Sequence, residues 1–219
     1  MVTDEIIKYQ YEEAARKFTK LSFPVRFEGC WIINGNIDVI DDEGGYWDTY
    51  NISIVIPSNY PSGLPMLYEL GNKIKQEANW HNTVGICCLS TPAKMFYVLG
   101  DNITLLRWLE LFAHPYLANH VHKTKTGEYA GKEYDHGANG LIQGYYEVFG
   151  LTDPNAVLQR LSLICDLQKF GRNDPCFCRS GKKYKKCFLI DPVKHRLGIP
   201  IEVLTNDLNE INRYVINRP

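Results

Sequence analysis

What this sequence lacks narrows it first. No apolar run comes near the roughly 20 residues that a helix needs to span a bilayer. The opening residues Met1-Val2-Thr3-Asp4-Glu5 carry neither the basic nor the apolar region of a signal peptide. Net charge is all but absent, −1 from 24 Lys+Arg against 25 Asp+Glu, so nothing global draws the chain to nucleic acid or to a membrane. There is no internal repeat and no low-complexity segment. Together these absences predict a soluble cytoplasmic protein. Its 219 residues, 45% hydrophobic, suffice for one medium domain with a small appendage.

Cysteine is present in excess: seven residues, an odd number. In a reducing compartment that points to metal binding or a reactive thiol rather than to disulfides. Cys30 and Cys165 stand alone on apolar faces and read as core. Cys87 adjoins Cys88, and Cys176, Cys178 and Cys187 cluster. Charge is partitioned in step with that last group. Residues 1–170 hold 14 basic and 20 acidic side chains, residues 171–190 hold 6 and 1, and residues 191–219 hold 4 and 4. An acidic body carries a short basic module.

Along the chain, Ile7, Tyr11, Ala14, Phe18 and Leu21 have helical spacing and predict a helix over 4–21, ended by Pro24. A β-meander follows. Val25–Ile33 reads as one strand, with a turn at Asn34-Gly35, and Ile37–Ile40 as a second. Asp41–Gly45 is turn-rich. Tyr50, Ile52, Ile54 and Ile56 alternate as one face of a third strand that Pro57 stops, and Met66–Leu70 predicts a fourth. Residues 71–101 read as irregular. A helix then begins near Asn102 on Ile103, Leu106, Leu109 and Phe112, followed by a polar, Gly- and Tyr-rich stretch from His114 to Gly140. A short helix is expected at Leu141–Phe149. Another starts at Asp153-Pro154, with Val157, Leu161, Ile164 and Leu167 as its apolar stripe. Val203, Leu204, Leu208 and Ile211 predict a last short helix. This order of elements is α+β.

Two segments of the body carry a family resemblance. Ile54-Val55-Ile56-Pro57-Ser58-Asn59-Tyr60-Pro61-Ser62-Gly63-Leu64-Pro65 resembles the strand and the P-x-x-Y-P-x-x-x-P crossing of ubiquitin-conjugating enzymes. Trp80-His81-Asn82-Thr83-Val84-Gly85-Ile86-Cys87-Cys88-Leu89 is similar to that family's active-site segment, in which a histidine precedes a G-x-x-C-L ending in the reactive cysteine. The resemblance covers about residues 1–150 and is nearest to bacterial ubiquitin-conjugating-like proteins, whose genes often sit in conjugation or antiphage-defence operons.

That resemblance implies a thioester carrier. Cys88 would accept a ubiquitin-like C-terminus from an activating enzyme and pass it to an acceptor protein. His81 would be the motif histidine that holds the loop. The family's His-Pro-Asn is here His81-Asn82 without the proline, so the oxyanion donor is left open between Asn82, Asn79 and neither. Ser90-Thr91-Pro92-Ala93-Lys94 does not reproduce the eukaryotic continuation. Glu133-Tyr134-Asp135-His136-Gly137-Ala138-Asn139-Gly140 looks like a Tyr/His/Gly-rich segment of the bacterial relatives, which makes His136 a candidate general base or substrate contact. His114, His120 and His122 are expected to have no chemistry. Neighbours in an extended segment face opposite sides, so one of the adjacent thiols should be buried, and motif register assigns that place to Cys87. A Cys88/His136 thiol hydrolase is a second enzymatic reading. The competing class is a non-catalytic scaffold of the same fold (UBC/RWD-like) with a zinc-dependent protein-docking tail, in which Cys88 is inert.

The tail carries a second resemblance. Gly171-Arg172-Asn173-Asp174-Pro175-Cys176-Phe177-Cys178-Arg179-Ser180-Gly181-Lys182-Lys183-Tyr184-Lys185-Lys186-Cys187 resembles the SEC-C motif, a small zinc module. C-x-C and a third cysteine nine residues on, across a Ser-Gly turn, can bring three thiolates to one Zn2+ ion. The motif's fourth ligand, directly after the third cysteine, is Phe188 here, so His195 or a water would have to complete the shell. Five net positive charges suit an acidic protein partner. No aromatic or helical readout element accompanies them, which argues against nucleic acid. The expected organisation is a ubiquitin-conjugating-like domain over 1–150, a connecting helix over 151–170, the SEC-C zinc motif over 171–190, and a tail with a short helix over 191–219.

Overall fold

Strand alternation sets the centre of the fold, which a computed structural model describes over residues 3–41, 43–77, 80–83, 85–131, 133–166, 170–176, 180–188 and 196–216. Along the chain come α1 (Asp4–Ala15), β1 (Val25–Phe27), β2 (Cys30–Ile40), β3 (Tyr46–Ile56), β4 (Met66–Glu69), β5 (Asn82–Thr83) and β6 (Ile86–Cys87). Helices follow: α2 (Pro92–Leu99), α3 (Leu105–Trp108), a π-helical turn (Leu109–Ala113), α4 (His114–Thr126), α5 (Gly137–Phe149), α6 (Pro154–Cys165) and α7 (Ile201–Ile216). The architecture is α+β. The chain divides into two compact units, Met1–Ser90 with Asn102–Glu133, and Thr91–Asp101 with Tyr134–Pro219. Residue 150, the expected end of the first domain, lies inside the second unit.

The first unit is an antiparallel sheet in the order β1-β2-β3-β4-β6-β5, with helices on one face. Tyr50, Ile52, Ile54 and Ile56 are wholly buried, as the alternation of β3 expects. Residues of α1, α3 and α4 close over that face with Ile7, Leu105, Trp108 and Leu117. The Thr3 side chain caps α1 by accepting from Ile6 N–H. The helix stops at Ala15 rather than running to Leu21, yet Phe18 and Leu21 still reach the core from the turns that follow.

Three expectations are corrected here. Asn34-Gly35 is not a turn. The first hairpin closes at Glu28-Gly29, and β2 runs unbroken through Gly35, paired along its length with β3. Gly35 instead admits the chain that crosses it. A Cβ there would stand 2.4 Å from the Lys20 carbonyl oxygen, and Ser22 N–H donates to Asn34 O at 2.7 Å. Residues 71–101, expected to be irregular, hold the β5–β6 hairpin and α2, and the polar stretch that starts at His114 is helical over His114–Thr126. Pro115 lies in the first turn of α4, next to the π turn, where the regular i→i−4 ladder is already interrupted, so its missing N–H does not end the helix.

The second unit is helical. Thr91 caps α2 and Asp153 caps α6, with Pro92 and Pro154 at the first helical positions. α7 packs on α2, α5 and α6, and it is longer than expected at 16 residues. Leu204 and Ile211 are fully buried, and Asp207, nearly so, receives the Tyr145 hydroxyl at 2.7 Å. Cys30 and Cys165, expected in the core, are only half-buried. Leu167 lies outside the described residues. Among the described residues, no helix is long and apolar enough to cross a membrane.

Candidate active site

The proline-rich crossing after β3 is held by its tyrosine. Tyr60 is buried, its preceding-to-proline bond to Pro61 is cis, and its hydroxyl reaches Gln10 Oε1 at 2.8 Å and Ile103 O at 3.1 Å. Gln10 Oε1 in turn accepts Leu105 N–H, so one side chain ties α1, the crossing and the start of α3.

The next loop is organised by a buried carboxylate. Glu69, 5% exposed, accepts the backbone N–H groups of Gly71, Lys73 and Ile74 at 2.7, 3.0 and 3.3 Å. Ile74 O then accepts Asn82 Nδ2 at 3.0 Å, which joins this loop to the short β5–β6 hairpin. In that hairpin Asn82 pairs with Cys87 and Thr83 with Ile86. Asn82 and Cys87 are buried, while Thr83, Ile86 and Cys88 are exposed. Parity separates the two thiols in the way an extended segment requires.

Their chemistry separates with them. Burial pushes the Cys87 thiol up to about 12, although the Tyr116 hydroxyl and a backbone group of Glu69 adjoin the sulfur. At neutral pH it stays protonated and inert. Cys88 follows the last hairpin residue, and its N–H donates to His81 O at 2.7 Å. Packing around its thiol raises it above the ordinary cysteine value, and the Thr83 hydroxyl beside the sulfur opposes that rise.

His81 is the hub of this arrangement through its backbone. Its carbonyl takes both the Cys88 N–H and the Tyr116 hydroxyl, the latter at 3.1 Å, and its φ is +50°. Its ring Nε2 lies 3.0 Å from Glu133 Oε1, and the ring packs on Tyr129 at 5.3 Å. Lys123 completes the cluster, 3.9 Å from the Tyr129 ring centroid, 4.8 Å from that of Trp80, and 3.9 Å from Glu133. The structure therefore brings His81 and Cys88 together and turns the Asn82 side chain away from the thiol, into the bond to Ile74. Asn79 lies outside the described residues. His136 is exposed at the N-cap of α5 and belongs to the second unit. His120 is buried, bonded through Nδ1 to Tyr50 at 2.6 Å, and burial lowers its pKa. Glu133, Lys123, Tyr129 and Thr83 are site residues that the sequence reading missed. Glu133 opened a segment already singled out for its histidine, but its contact with His81 spans 52 positions.

The tail module is a tight turn of chain. Cys176 N–H donates to Lys182 O at 2.9 Å, Tyr184 N–H to Asp174 O at 2.8 Å, and Lys185 N–H to Arg172 O at 2.9 Å. Cys176, Tyr184 and Phe188 form a small buried cluster against Phe170 and Cys187, with the Tyr184 and Phe188 rings stacked at 5.6 Å. Ser180 Oγ lies 3.2 Å from Cys187 Sγ. Phe188 thus fills a core position where the motif places a ligand. Cys176 and Cys187 share one cluster, which suits soft thiolate ligation of zinc. Cys178 and His195 lie outside the described residues, and among the described residues no group of three or more His, Cys, Asp or Glu side chains is gathered to hold a metal.

Comparison with known proteins agrees with the tail and is silent on the body. Residues 172–187 match the family model of the SEC-C motif. The chain is 62% identical over 34 residues to the protein translocase subunit SecA of Koribacter versatilis (strain Ellin345), covering 16% of this chain and 3% of that protein. It is 84% identical over 19 residues to UPF0225 protein GSU1048 of Geobacter sulfurreducens (strain ATCC 51573 / DSM 12127 / PCA), covering 9% and 12%. The chain therefore spans only a small fraction of these relatives. No solved structure matches it.

Proposed function

We propose that the chain is a cytoplasmic ubiquitin-conjugating-like carrier. Cys88 takes a ubiquitin-like C-terminus from an activating enzyme as a thioester and transfers it to an amine or hydroxyl of an acceptor protein. One observation carries this reading: an exposed cysteine ends a short hairpin whose neighbouring thiol is buried, and the backbone of His81 braces it. Thioester exchange needs an accessible thiolate more than a strongly acidic thiol, because nucleophilicity falls along with pKa. The raised Cys88 thiol is therefore compatible with exchange, though the same rise is what a non-catalytic UBC/RWD-like scaffold would show.

The tail is proposed to be a zinc module held by Cys176, Cys178, Cys187 and His195. Bound zinc would cross-link a segment too poor in apolar residues to fold firmly alone. Its exposed Lys182, Lys183 and Lys186 would meet an acidic protein partner.

The test uses the full chain with ATP, the ubiquitin-like protein and the activating enzyme encoded beside its gene. A thiol-sensitive mass adduct is expected, retained in Cys87→Ala and lost in Cys88→Ala. No adduct under any condition, or no such genes nearby, returns the protein to the scaffold class.

A further inference from the structure

We infer that Thr83 is the charge-stabilising group of the Cys88 site, donating its hydroxyl to the sulfur as thiolate and to the oxyanion of the thioester under attack. The inference deepens the carrier reading and rests on it. In a resembling active site that duty would fall to an asparagine, and Asn82, the candidate among the described residues, is committed elsewhere. Asn82 is 1% exposed, on the opposite side of the hairpin from Cys88, and its Nδ2 already donates to Ile74 O. The Cys88 N–H is committed too, to His81 O.

Thr83 stands on the other side of the strand. Its partner across the hairpin is Ile86, so its side chain shares a face with Ile86 and Cys88, diagonal to the cysteine. It is exposed, and its hydroxyl adjoins the thiol. One residue of sequence therefore separates a buried amide that holds the loop from a surface hydroxyl on the same face as the reacting atom. During transfer an amine nitrogen bonds to the thioester carbonyl carbon and the carbonyl π pair moves onto oxygen. Collapse then breaks the carbon–sulfur bond, the pair leaves on Cys88 sulfur, and the surplus amine proton passes to water. Negative charge builds first on oxygen and then on sulfur, and the Thr83 hydroxyl is the donor proposed for both. Thr83 loses no proton at any stage.

The test needs no biological partner. In the full chain, p-nitrophenyl acetate acylates Cys88 with loss of p-nitrophenolate, and free lysine then removes the acetyl group. Both steps, and the pH profile of iodoacetamide alkylation, are followed on the Cys88 peptide by mass spectrometry. In Thr83→Val the alkylation profile is expected to move to higher pH, and aminolysis to slow about tenfold or more, with Thr83→Ser restoring both. Thr83 is exposed, so these variants keep the fold. Wild-type behaviour in Thr83→Val overturns the inference, as does failure of Thr83→Ser to restore, or loss on Ser90→Ala with Thr83→Val silent. Failure of the carrier reading shows separately, as a missing ubiquitin-like adduct on a Cys88 that still responds to Thr83.

Discussion

At the scale of single residues, Tyr116 is the side chain on which the candidate site depends without touching its reactive atom. Its hydroxyl serves Trp80 O at 3.2 Å and His81 O at 3.1 Å, and it adjoins the Cys87 sulfur. Replacing it with phenylalanine keeps the ring and removes a buried hydrogen bond. Tyr116→Phe is therefore expected to cost about 1–2 kcal/mol, read as a lower urea midpoint with unchanged slope. The carbonyl of His81 keeps the Cys88 N–H, so the hairpin persists. That one of the two adjacent thiols is buried was legible from strand parity, and motif register chose Cys87; both need only the sequence. Thr83, Glu133 and Tyr116 were not, because their parts depend on hairpin register and on contacts across as many as 52 positions.

At the scale of elements, α5 and α7 meet across one buried polar pair. Asp207 is 7% exposed, and burial raises its carboxyl to about 6, with the Tyr145 hydroxyl opposing the rise. A carboxyl raised in the folded state favours the protonated fold. Its contribution is fully present below the unfolded value near 4 and is lost as pH climbs through about 6. Asp207→Asn keeps an acceptor for Tyr145 and removes the buried charge. It is expected to be more stable than wild type at pH 8, by about 3 kcal/mol at most, with the advantage disappearing below pH 4. Thermal melts across that range check it. Helical spacing did show the apolar side of α7 but could not show an aspartate folded into it. Likewise Asn34-Gly35 has the composition of a turn, and only the crossing of Lys20 and Leu21 reveals why a glycine stands inside β2. The polar stretch from His114 gave no sign of a helix for the same kind of reason: the π turn that leads into α4 leaves no mark in apolar periodicity.

For the whole molecule, net charge near zero conceals an acidic body with five net positive charges on a twenty-residue module. What holds that module decides whether the basic patch is a fixed surface. Two agents are available. The aromatic cluster of Phe170, Tyr184 and Phe188 packs against Cys176, and the proposed zinc ties the cysteines. Three packed rings bury too little to order so short a segment firmly, whereas a thiolate-bound zinc contributes folding energy directly. Freshly purified protein is therefore expected to carry about one zinc per chain, reduced in Cys176→Ser and Cys187→Ser. The amides of Cys176, Tyr184 and Lys185, bonded to Lys182, Asp174 and Arg172, report on the turn itself. Chelation should lower their protection against hydrogen exchange about tenfold or more at fixed pH, and acidification should lower the same protection, taken relative to the intrinsic rate at each pH, because the ligating thiolates must be deprotonated. If those amides keep their protection in zinc-free protein, the aromatic cluster alone orders the module. Phe188 would then be the residue that replaced the metal rather than merely the place where a ligand is missing.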